Sequence, residues 1–269
     1  MGIKLIAIDV DNTLLNSKHK LTPKTKAALK AAIQRGVKVV IASGRPLAGT
    51  QWLYQKIGIG RQPDQYAINF NGGLISTTQG KILAQNALSG LEAQRFYQLA
   101  LKLGVKLQLE AISGLYTPFK TPSKDMVDNA RVLHMPLKYI DIKTLGEDDR
   151  IGKLTLVGKK EKMAYAYRHL PEKILQNYSI GSSSPIFLEF SHQGISKGFA
   201  LRQLAGKLAF SLKKTMAIGD ENNDLSMIKV AGVGVAMGNG ISEIKRQADF
   251  VTRDNDSDGV AVAIEKYIS

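Results

Sequence analysis

The amino-acid sequence predicts an α/β fold, a Rossmann-like core built on a parallel sheet, with an α+β domain inserted into it. Strand and helix patterns alternate over the first stretch of about forty residues, which is typical of a βαβ unit. This texture returns near the C-terminus, whereas strands in the middle of the chain alternate apolar and polar residues. We therefore assign residues 1–83 and 190–269 to a discontinuous core and residues 84–189 to the inserted domain.

The first βαβ unit consists of two apolar runs and the helix between them. The run LIAI directly before Asp9 predicts a buried strand. Thr22-Pro23 supplies a hydroxyl cap and an early proline, so a helix is expected to begin there and to end at Gly36. The apolar run at 37–44 predicts the second strand, and residues 66–70 predict a third.

The inserted domain has its own local signals. Ser89 and Glu92 form a capping box, which predicts a helix running to about residue 103. Residues 105–111 alternate in polarity, so we expect a strand of a sheet with one face open to solvent. The rest of the inserted domain is expected to contain strands at 151–158 and 186–190 with a helix at 161–170 between them.

After the insertion, the sequence predicts the remaining elements of the core. The helices are expected at 196–208, 225–230 and 260–267, and the strands at 213–219, 233–237 and 250–252.

Composition narrows the function classes. The chain has 269 residues, no cysteine and a formal net charge of +14. The absence of cysteine excludes disulfides, thiolate catalysis and cysteine-based zinc sites. The basic residues are spread along the chain, which favours a surface that attracts small anions over a nucleic-acid site. The first apolar run is interrupted by Asp9 and Asp11, so it predicts neither a signal peptide nor a membrane span, and we expect a cytoplasmic protein without nucleic-acid or membrane partners.

Polar residues cluster where predicted strands end. The segments are Asp9-Val10-Asp11, Ser43-Gly44-Arg45 and Gly219–Asp224, and a fourth segment, Ser196-Lys197-Gly198, opens a helix. Open α/β sheets bind ligands at the carboxyl ends of their strands. If Asp9, Asp220 and Asp224 converge, a hard divalent cation would relieve their repulsion. A simple turn at Asp9 and Asp11, and a solvated lysine at Lys197, are the alternative interpretations.

In this order and spacing, the segments resemble the motifs of the haloacid dehalogenase superfamily. Further matches resemble its Cof-type subfamily of sugar-phosphate phosphatases: NGG at 71–73, GISKG at 194–198, GDENND at 219–224 and NDSDGVA at 255–261. The resemblance implies that the inserted domain is a mobile cap. It also implies a Mg²⁺-dependent phosphatase that acts on small phosphomonoesters, such as sugar phosphates, through an aspartyl-phosphate.

The resemblance assigns roles position by position. Asp9 would be the nucleophile, Asp11 the general acid and then base, and Lys197 the group that neutralises developing charge. The metal ligands would be Asp9, the backbone carbonyl of Asp11, Asp220 and, through water, Asp224. The substrate would be a small phosphorylated metabolite held by Val10, Ser43, Gly44, Lys197 and Asn223.

One residue departs from the family pattern, and two other functions stay open. Asn12 stands where the family usually has glycine; because asparagine tolerates left-handed backbone, the turn is expected to form. A phosphomutase could use the same aspartyl-phosphate, and the basic charge also allows a nucleic-acid-binding protein with a degenerate site. The oligomeric state is not predicted.

Two motif matches have a simpler explanation. Residues 254–265 satisfy the EF-hand pattern, but the expected strand before them argues against calcium, and Asp258-Gly259 is expected to form a turn and cap for the last helix. Residues 232–238 imitate a dinucleotide-binding loop, yet no suitable helix follows, so a core strand and turn are expected.

Overall fold

The computed structural model describes residues 2–60, 62, 64–133, 135–182 and 184–268. The chain forms two compact units. The first contains Met1–Gly44, Thr50–Ala84 and Ser196–Ser269, and the second contains Arg45–Gly49 and Gln85–Ile195. The second unit is therefore inserted into the sequence of the first.

Strands and helices alternate along the described chain. The strands are β1 (Leu5–Ile8), β2 (Lys38–Ala42), β3 (Tyr66–Asn69), β4 (Leu74–Thr77), β5 (Ile82–Gln85), β6 (Lys106–Ala111), β7 (Gly114–Thr117), β8 (Leu137–Tyr139), β9 (Lys153–Val157), β10 (Tyr178–Gly181), β11 (Phe187–His192), β12 (Thr215–Gly219), β13 (Val233–Ala236) and β14 (Phe250–Val251). The helices are α1 (Pro23–Gln34), α2 (Leu47–Ile57), α3 (Gly90–Leu103), α4 (Lys124–Val132), α5 (Lys160–Arg168), α6 (Glu172–Asn177), α7 (Lys197–Lys207), α8 (Leu225–Val230), α9 (Ser242–Gln247) and α10 (Gly259–Tyr267). Among the described residues, no helix has the length and apolar character that crossing a membrane requires.

The first unit is built on one sheet whose strand order is β14-β13-β12-β1-β2-β3-β4-β5. The strands from β14 to β3 pair in parallel, and β4 is antiparallel to β3. Every residue of β1 is fully buried, because both faces of the sheet are covered. The chain leaves β1 toward β2 on one side, while β12 lies on the other. The carboxyl end of β1 is thus a topological switch point, where such sheets bind ligands.

Helices pack in pairs beside this sheet, α1 with α10 and α7 with α8. One buried cluster joins Leu5 and Ala7 of β1 to Leu201 of α7 and Met227 of α8. The close approach of α7 to α8 depends on Gly198, since a Cβ there would lie 2.2 Å from the carbonyl oxygen of Ser226. This packing fixes the first residue of α7 with respect to the strand ends.

The second unit is a six-stranded sheet in the order β10-β11-β9-β6-β7-β8. All pairs are antiparallel except β7 with β8. One face packs against α3 and α5 through a buried cluster that includes Phe96, Met163 and Phe190. The predicted capping box of α3 is confirmed, because the Ser89 amide donates to Glu92 at 2.8 Å and the Glu92 amide to Ser89 Oγ at 3.3 Å. The fold is an α/β core with an inserted α+β domain, as predicted.

The other face of this second sheet is not open to solvent at its centre, so that prediction is wrong. Lys153 Nζ lies 3.3 Å from Glu110 and 3.1 Å from Glu189, and all three groups lie on this face of β6, β9 and β11. Glu110 is only 1% exposed. Part of the same face is covered by α4, whose Met126 packs with apolar residues of β9 and β11. The polar residues that alternate along β6 therefore face a buried cluster of ion pairs and not solvent.

The EF-hand-like segment has a structural role. A strand, β14, precedes it, and α10 follows from Gly259. Asp256 accepts the Ser17 amide at 3.0 Å, and Asp258 accepts the Thr22 and Thr25 hydroxyls at 2.5 and 3.3 Å. Asp258 forms the expected turn with a φ of 58° and is, as expected, the N-cap residue of α10, but its carboxylate makes no capping hydrogen bond and instead contacts the start of α1.

Candidate active site

The nucleophile candidate Asp9 lies directly after β1. Its backbone amide donates to the Ile218 carbonyl of β12 at 3.0 Å, so its position follows from the sheet register. The chain then turns sharply at Asn12, which has a φ of 58°, as expected for an asparagine in place of glycine. The Asn239 side chain donates to the Asn12 carbonyl at 2.8 Å and supports this turn. Asp9 is thereby buried, whereas Asp11 is half-exposed.

Lys197 is a buried residue, and the interpretation as a solvated lysine is wrong. It is the first residue of α7, whose N-cap is Ser196; the Ser196 hydroxyl accepts the Phe199 amide at 3.1 Å. The Lys197 side chain has no exposed surface. Its Nζ lies 2.5 Å from Asp9 Oδ1 and 2.7 Å from Asp224 Oδ1. The lysine therefore joins the ends of β1 and β12.

Electrostatics keep Lys197 charged. Burial by itself disfavours the ammonium, but Asp224 and Asp9 outweigh it and raise the pKa of Lys197. Burial also raises the pKa of Asp9 well above its usual range, and Asp224 and Asp220 add to this effect while Lys197 opposes it. Asp9 therefore depends on nearby positive charge to remain a carboxylate.

Asp220 lies directly after β12 and is also buried. Its Oδ1 accepts the Thr13 hydroxyl at 2.7 Å. Burial raises the pKa of Asp220 to about 6; the Thr13 bond lowers it and the Asp224 charge raises it further. Thr13 was not among the predicted site residues. The signal that could have found it is its place in the first motif, four residues after Asp9.

Asp224 uses both carboxylate oxygens within the protein. Oδ1 accepts from Lys197, and Oδ2 accepts the backbone amides of Asp220 and Glu221 at 3.0 and 3.1 Å. Gly219 permits this arrangement, since a Cβ there would lie 2.5 Å from the Asp224 Cβ. The Asp224 carboxylate thus holds the loop after β12 against Lys197.

Three of the predicted metal ligands converge. Asp9, Asp220 and Asp224 each present one carboxylate oxygen, and these oxygens lie within 4.8 Å of one another. Lys197 contributes one positive charge to this group, whereas the three acids contribute three negative charges when they are ionised. The raised pKa values of Asp9 and Asp220 reflect burial together with this excess of negative charge. Hard oxygen ligands with uncompensated charge fit a divalent cation such as Mg²⁺. The side chain of Asp11 does not belong to this group of described residues.

The predicted substrate-binding residues lie on the loops beside these acids. Ser43 is buried after β2, and its carbonyl accepts the Asn71 amide at 3.0 Å. The Asn223 side chain donates to Asn71 Oδ1 at 3.2 Å, and a Cβ on Gly44 would lie 3.1 Å from the same oxygen. The Val10 side chain is fully buried, which leaves its backbone as the part that could face a ligand. Asn71 belongs to the NGG match, and its contact with Asn223 was not predicted.

Comparison with known proteins assigns the family. A family model described as haloacid dehalogenase-like hydrolase matches residues 6–264. The chain belongs to this family. Similar proteins include YxeH of Bacillus subtilis (strain 168), which is 37% identical over 98% of both chains. The 5-amino-6-(5-phospho-D-ribitylamino)uracil phosphatase YcsE of the same organism is 32% identical over 100% of this chain and 97% of that one.

Solved structures agree with this assignment. A haloacid dehalogenase-like hydrolase from Bacteroides thetaiotaomicron has a TM-score of 0.90 and 30% identity, covering 98% of this chain and 99% of the other. The family resemblance drawn from the motifs is therefore confirmed. The haloacid dehalogenase-like chain described here is a phosphatase.

Proposed function

We propose that this haloacid dehalogenase-like phosphatase hydrolyses small phosphomonoesters, chiefly sugar phosphates, in a Mg²⁺-dependent reaction through an aspartyl-phosphate on Asp9. The observation that carries the proposal is the buried Asp9 carboxylate, 2.5 Å from the Lys197 ammonium and grouped with Asp220 and Asp224. The relative YcsE is named for a substrate whose phosphate is carried on a ribityl chain, a sugar-derived alcohol. That relative supports the sugar-phosphate class.

In this proposal Asp9 acts as the nucleophile. Its carboxylate attacks phosphorus, and the bond from phosphorus to the leaving alcohol oxygen breaks. Asp11 donates a proton to that oxygen. Water then attacks the phosphorus of the aspartyl-phosphate while Asp11 takes up a proton from it, the bond from phosphorus to the Asp9 oxygen breaks, and inorganic phosphate and the free Asp9 carboxylate result. The half-exposed position of Asp11 supports this exchange of protons with substrate and water.

The acid group can accommodate a magnesium ion. Asp9, the backbone carbonyl of Asp11 and Asp220 would hold it, with Asp224 contributing through water. When bound, the ion supplies positive charge that offsets the carboxylates and the phosphoryl oxygens. Lys197 supplies a fixed ammonium beside Asp9, and this keeps the nucleophile ionised and opposes charge that develops on the phosphoryl group.

The remaining proposed roles concern substrate binding. Ser43, the Gly44 and Val10 backbones and the Asn223 carboxamide would contact phosphoryl oxygens. We also propose that the inserted domain, at about residues 84–189, acts as a mobile cap and determines which alcohol is accepted. A cytoplasmic location fits the absence of cysteine.

The test is the variant Asp9→Asn, which keeps the shape of the side chain and removes its nucleophilic charge. We expect no detectable release of p-nitrophenol from p-nitrophenyl phosphate, with circular dichroism showing a folded protein. Turnover at the wild-type rate would refute the role of Asp9 as the nucleophile.

The metal requirement has its own test. EDTA should abolish wild-type activity, and Mg²⁺ should restore it. Activity that survives exhaustive chelation would refute the metal requirement, and a panel of sugar phosphates assayed for phosphate release tests the substrate class.

A further inference from the structure

An unusual turn follows β3. Three successive residues, Phe70, Asn71 and Gly72, have positive φ values of 52°, 53° and 105°. Left-handed backbone is uncommon for a bulky side chain such as Phe70, which is also buried. Strained backbone of this kind persists only where the surroundings impose it, and it concentrates at functional sites. Reversal of the chain direction does not by itself explain why this turn has three successive positive φ values.

The contacts of the turn supply that reason, because it touches three loops that carry predicted site residues. The Asn71 amide donates to the Ser43 carbonyl at 3.0 Å. Gly72 packs so closely on the residue before Lys197 that a Cβ there would lie 2.2 Å from the Ser196 carbonyl oxygen. Asn71 Oδ1 accepts from Asn223 Nδ2 at 3.2 Å, on the loop after β12.

The Asn223 carboxamide needs this support. Asn223 is exposed and lies in a short turn between Asp220 and α8, so packing does not fix its rotamer. A hydrogen bond from its NH₂ group fixes the orientation of the carboxamide before a ligand binds. Less conformational entropy is then lost on binding than with a freely rotating side chain.

We propose that Asn71 is a positioning residue for the phosphoryl group, acting by holding the carboxamide of Asn223 in its binding orientation. The inference rests on the proposed function, since it takes Asn223 as a phosphate contact. Asparagine suits the position on two counts: it tolerates the left-handed backbone, and its uncharged oxygen accepts the bond without placing a negative charge beside an anion.

The experiment is a double-mutant cycle on Asn71→Gly and Asn223→Ala. Glycine keeps the left-handed backbone and removes only the side chain. For p-nitrophenyl phosphate we expect Asn71→Gly to raise KM about 5- to 10-fold, the loss of one hydrogen bond, while kcat changes less than about 3-fold. The inhibition constant of inorganic phosphate should rise by the same factor. In the Asn223→Ala background the same change should add less than about 2-fold, because its target is gone.

Several results would overturn this role. An Asn71→Gly enzyme with KM and phosphate inhibition within 2-fold of wild type would do so, as would effects that multiply fully in the double variant. His19→Gly is the matched control, because His19 is exposed and also left-handed, with a φ of 53°; it should leave KM unchanged.

A second variant and a second readout keep the test independent of folding and of turnover. Asn71→Asp retains the acceptor oxygen and the backbone but adds a negative charge, so phosphate affinity should fall more than 10-fold; an unchanged affinity would count against the proposal. Calorimetric titration of inorganic phosphate in the presence of Mg²⁺ measures this affinity directly. Absence of phosphomonoester turnover in the wild type would refute the proposed function alone, since the phosphate titration still tests Asn71.

Discussion

Replacing Asp224 by asparagine separates two roles for this residue. As a direct partner of Lys197, its carboxylate stabilises the folded protein whether or not a metal is bound. As a metal ligand, it would matter only when the cation is present. Asparagine keeps the size of the side chain, but its one oxygen cannot accept both from Lys197 and from the amides of Asp220 and Glu221.

The expected loss of stability follows from burial and from the remaining partner. Asp224 and Lys197 both have no exposed side-chain surface. Breaking a buried ion pair costs about 3–5 kcal/mol, and one hydrogen bond to a charged group contributes about 1.5–3 kcal/mol. Because Lys197 keeps Asp9 as a partner at 2.5 Å, and because the loss of one carboxylate relieves repulsion among the acids, we expect a loss below the upper end of this span, about 2–4 kcal/mol. For a domain of this size that is a fall in Tm of roughly 5–15 °C.

The assay is thermal unfolding followed by circular dichroism in EDTA, which removes any contribution from a bound cation. Asp64→Asn is the control, since Asp64 is an exposed acid of the same unit, and it should leave the Tm unchanged. If Asp224→Asn unfolds at the wild-type temperature in EDTA and only its Mg²⁺ requirement rises, the Lys197 contact does not stabilise the folded protein and this prediction is wrong.

Three further predictions concern groups that the tertiary structure brings together. Thr13→Val should raise the Mg²⁺ concentration needed for half-maximal activity by about 5- to 10-fold, because Asp220 loses its 2.7 Å hydroxyl bond; Thr13→Ser should behave as wild type, and equal behaviour of both variants would contradict this role. Lys153→Met should lower the free energy of unfolding by about 3–5 kcal/mol in urea denaturation, since Glu110 and Glu189 lose their buried cation, whereas the exposed Lys81→Met should change it by less than about 0.5 kcal/mol. Burial, with a contribution from Glu189 and against that of Lys153, raises the pKa of Glu110 above 4.5, so the folded state binds this proton more tightly than the unfolded state and stability falls as pH rises through the folded pKa. Glu110→Gln removes this dependence, so its Tm relative to wild type should rise as the pH increases above about 4.5, and a Tm difference that does not change with pH would contradict this prediction.

Much of the fold could be predicted because its signals are local. The Ser89 and Glu92 capping box involves residues three apart, and the Thr22-Pro23 helix start involves neighbours. A parallel strand that is buried on both faces is recognisable in the sequence as an apolar run, and β1 and β12 were predicted for this reason. Helices α2, α4 and α6 were not predicted, although α4 has a local start signal, since the Ser123 side chain accepts the Met126 amide at its N-cap. Helices this short gain most of their stability from tertiary packing.

The candidate site divides in the same way. The residue types and spacing of the motifs were sufficient to name Asp9, Lys197, Asp220 and Asp224, and the structure brings these together. Their partners were not predicted, because the bonds of Thr13 to Asp220 and of Asn71 to Asn223 join residues far apart in the chain.

The sequence alone therefore determined the fold class, the family and the acids of the site, since each of these is written in short runs of neighbouring residues. The sequence did not reveal that Lys197 is fully buried between two carboxylates or that Glu110 is enclosed beside Lys153; these facts come from the folded chain. The contact of the Asp258 carboxylate with α1 likewise comes from the folded chain. The physical reason is that burial and ion pairing depend on which distant segments meet, and local periodicity carries no information about that.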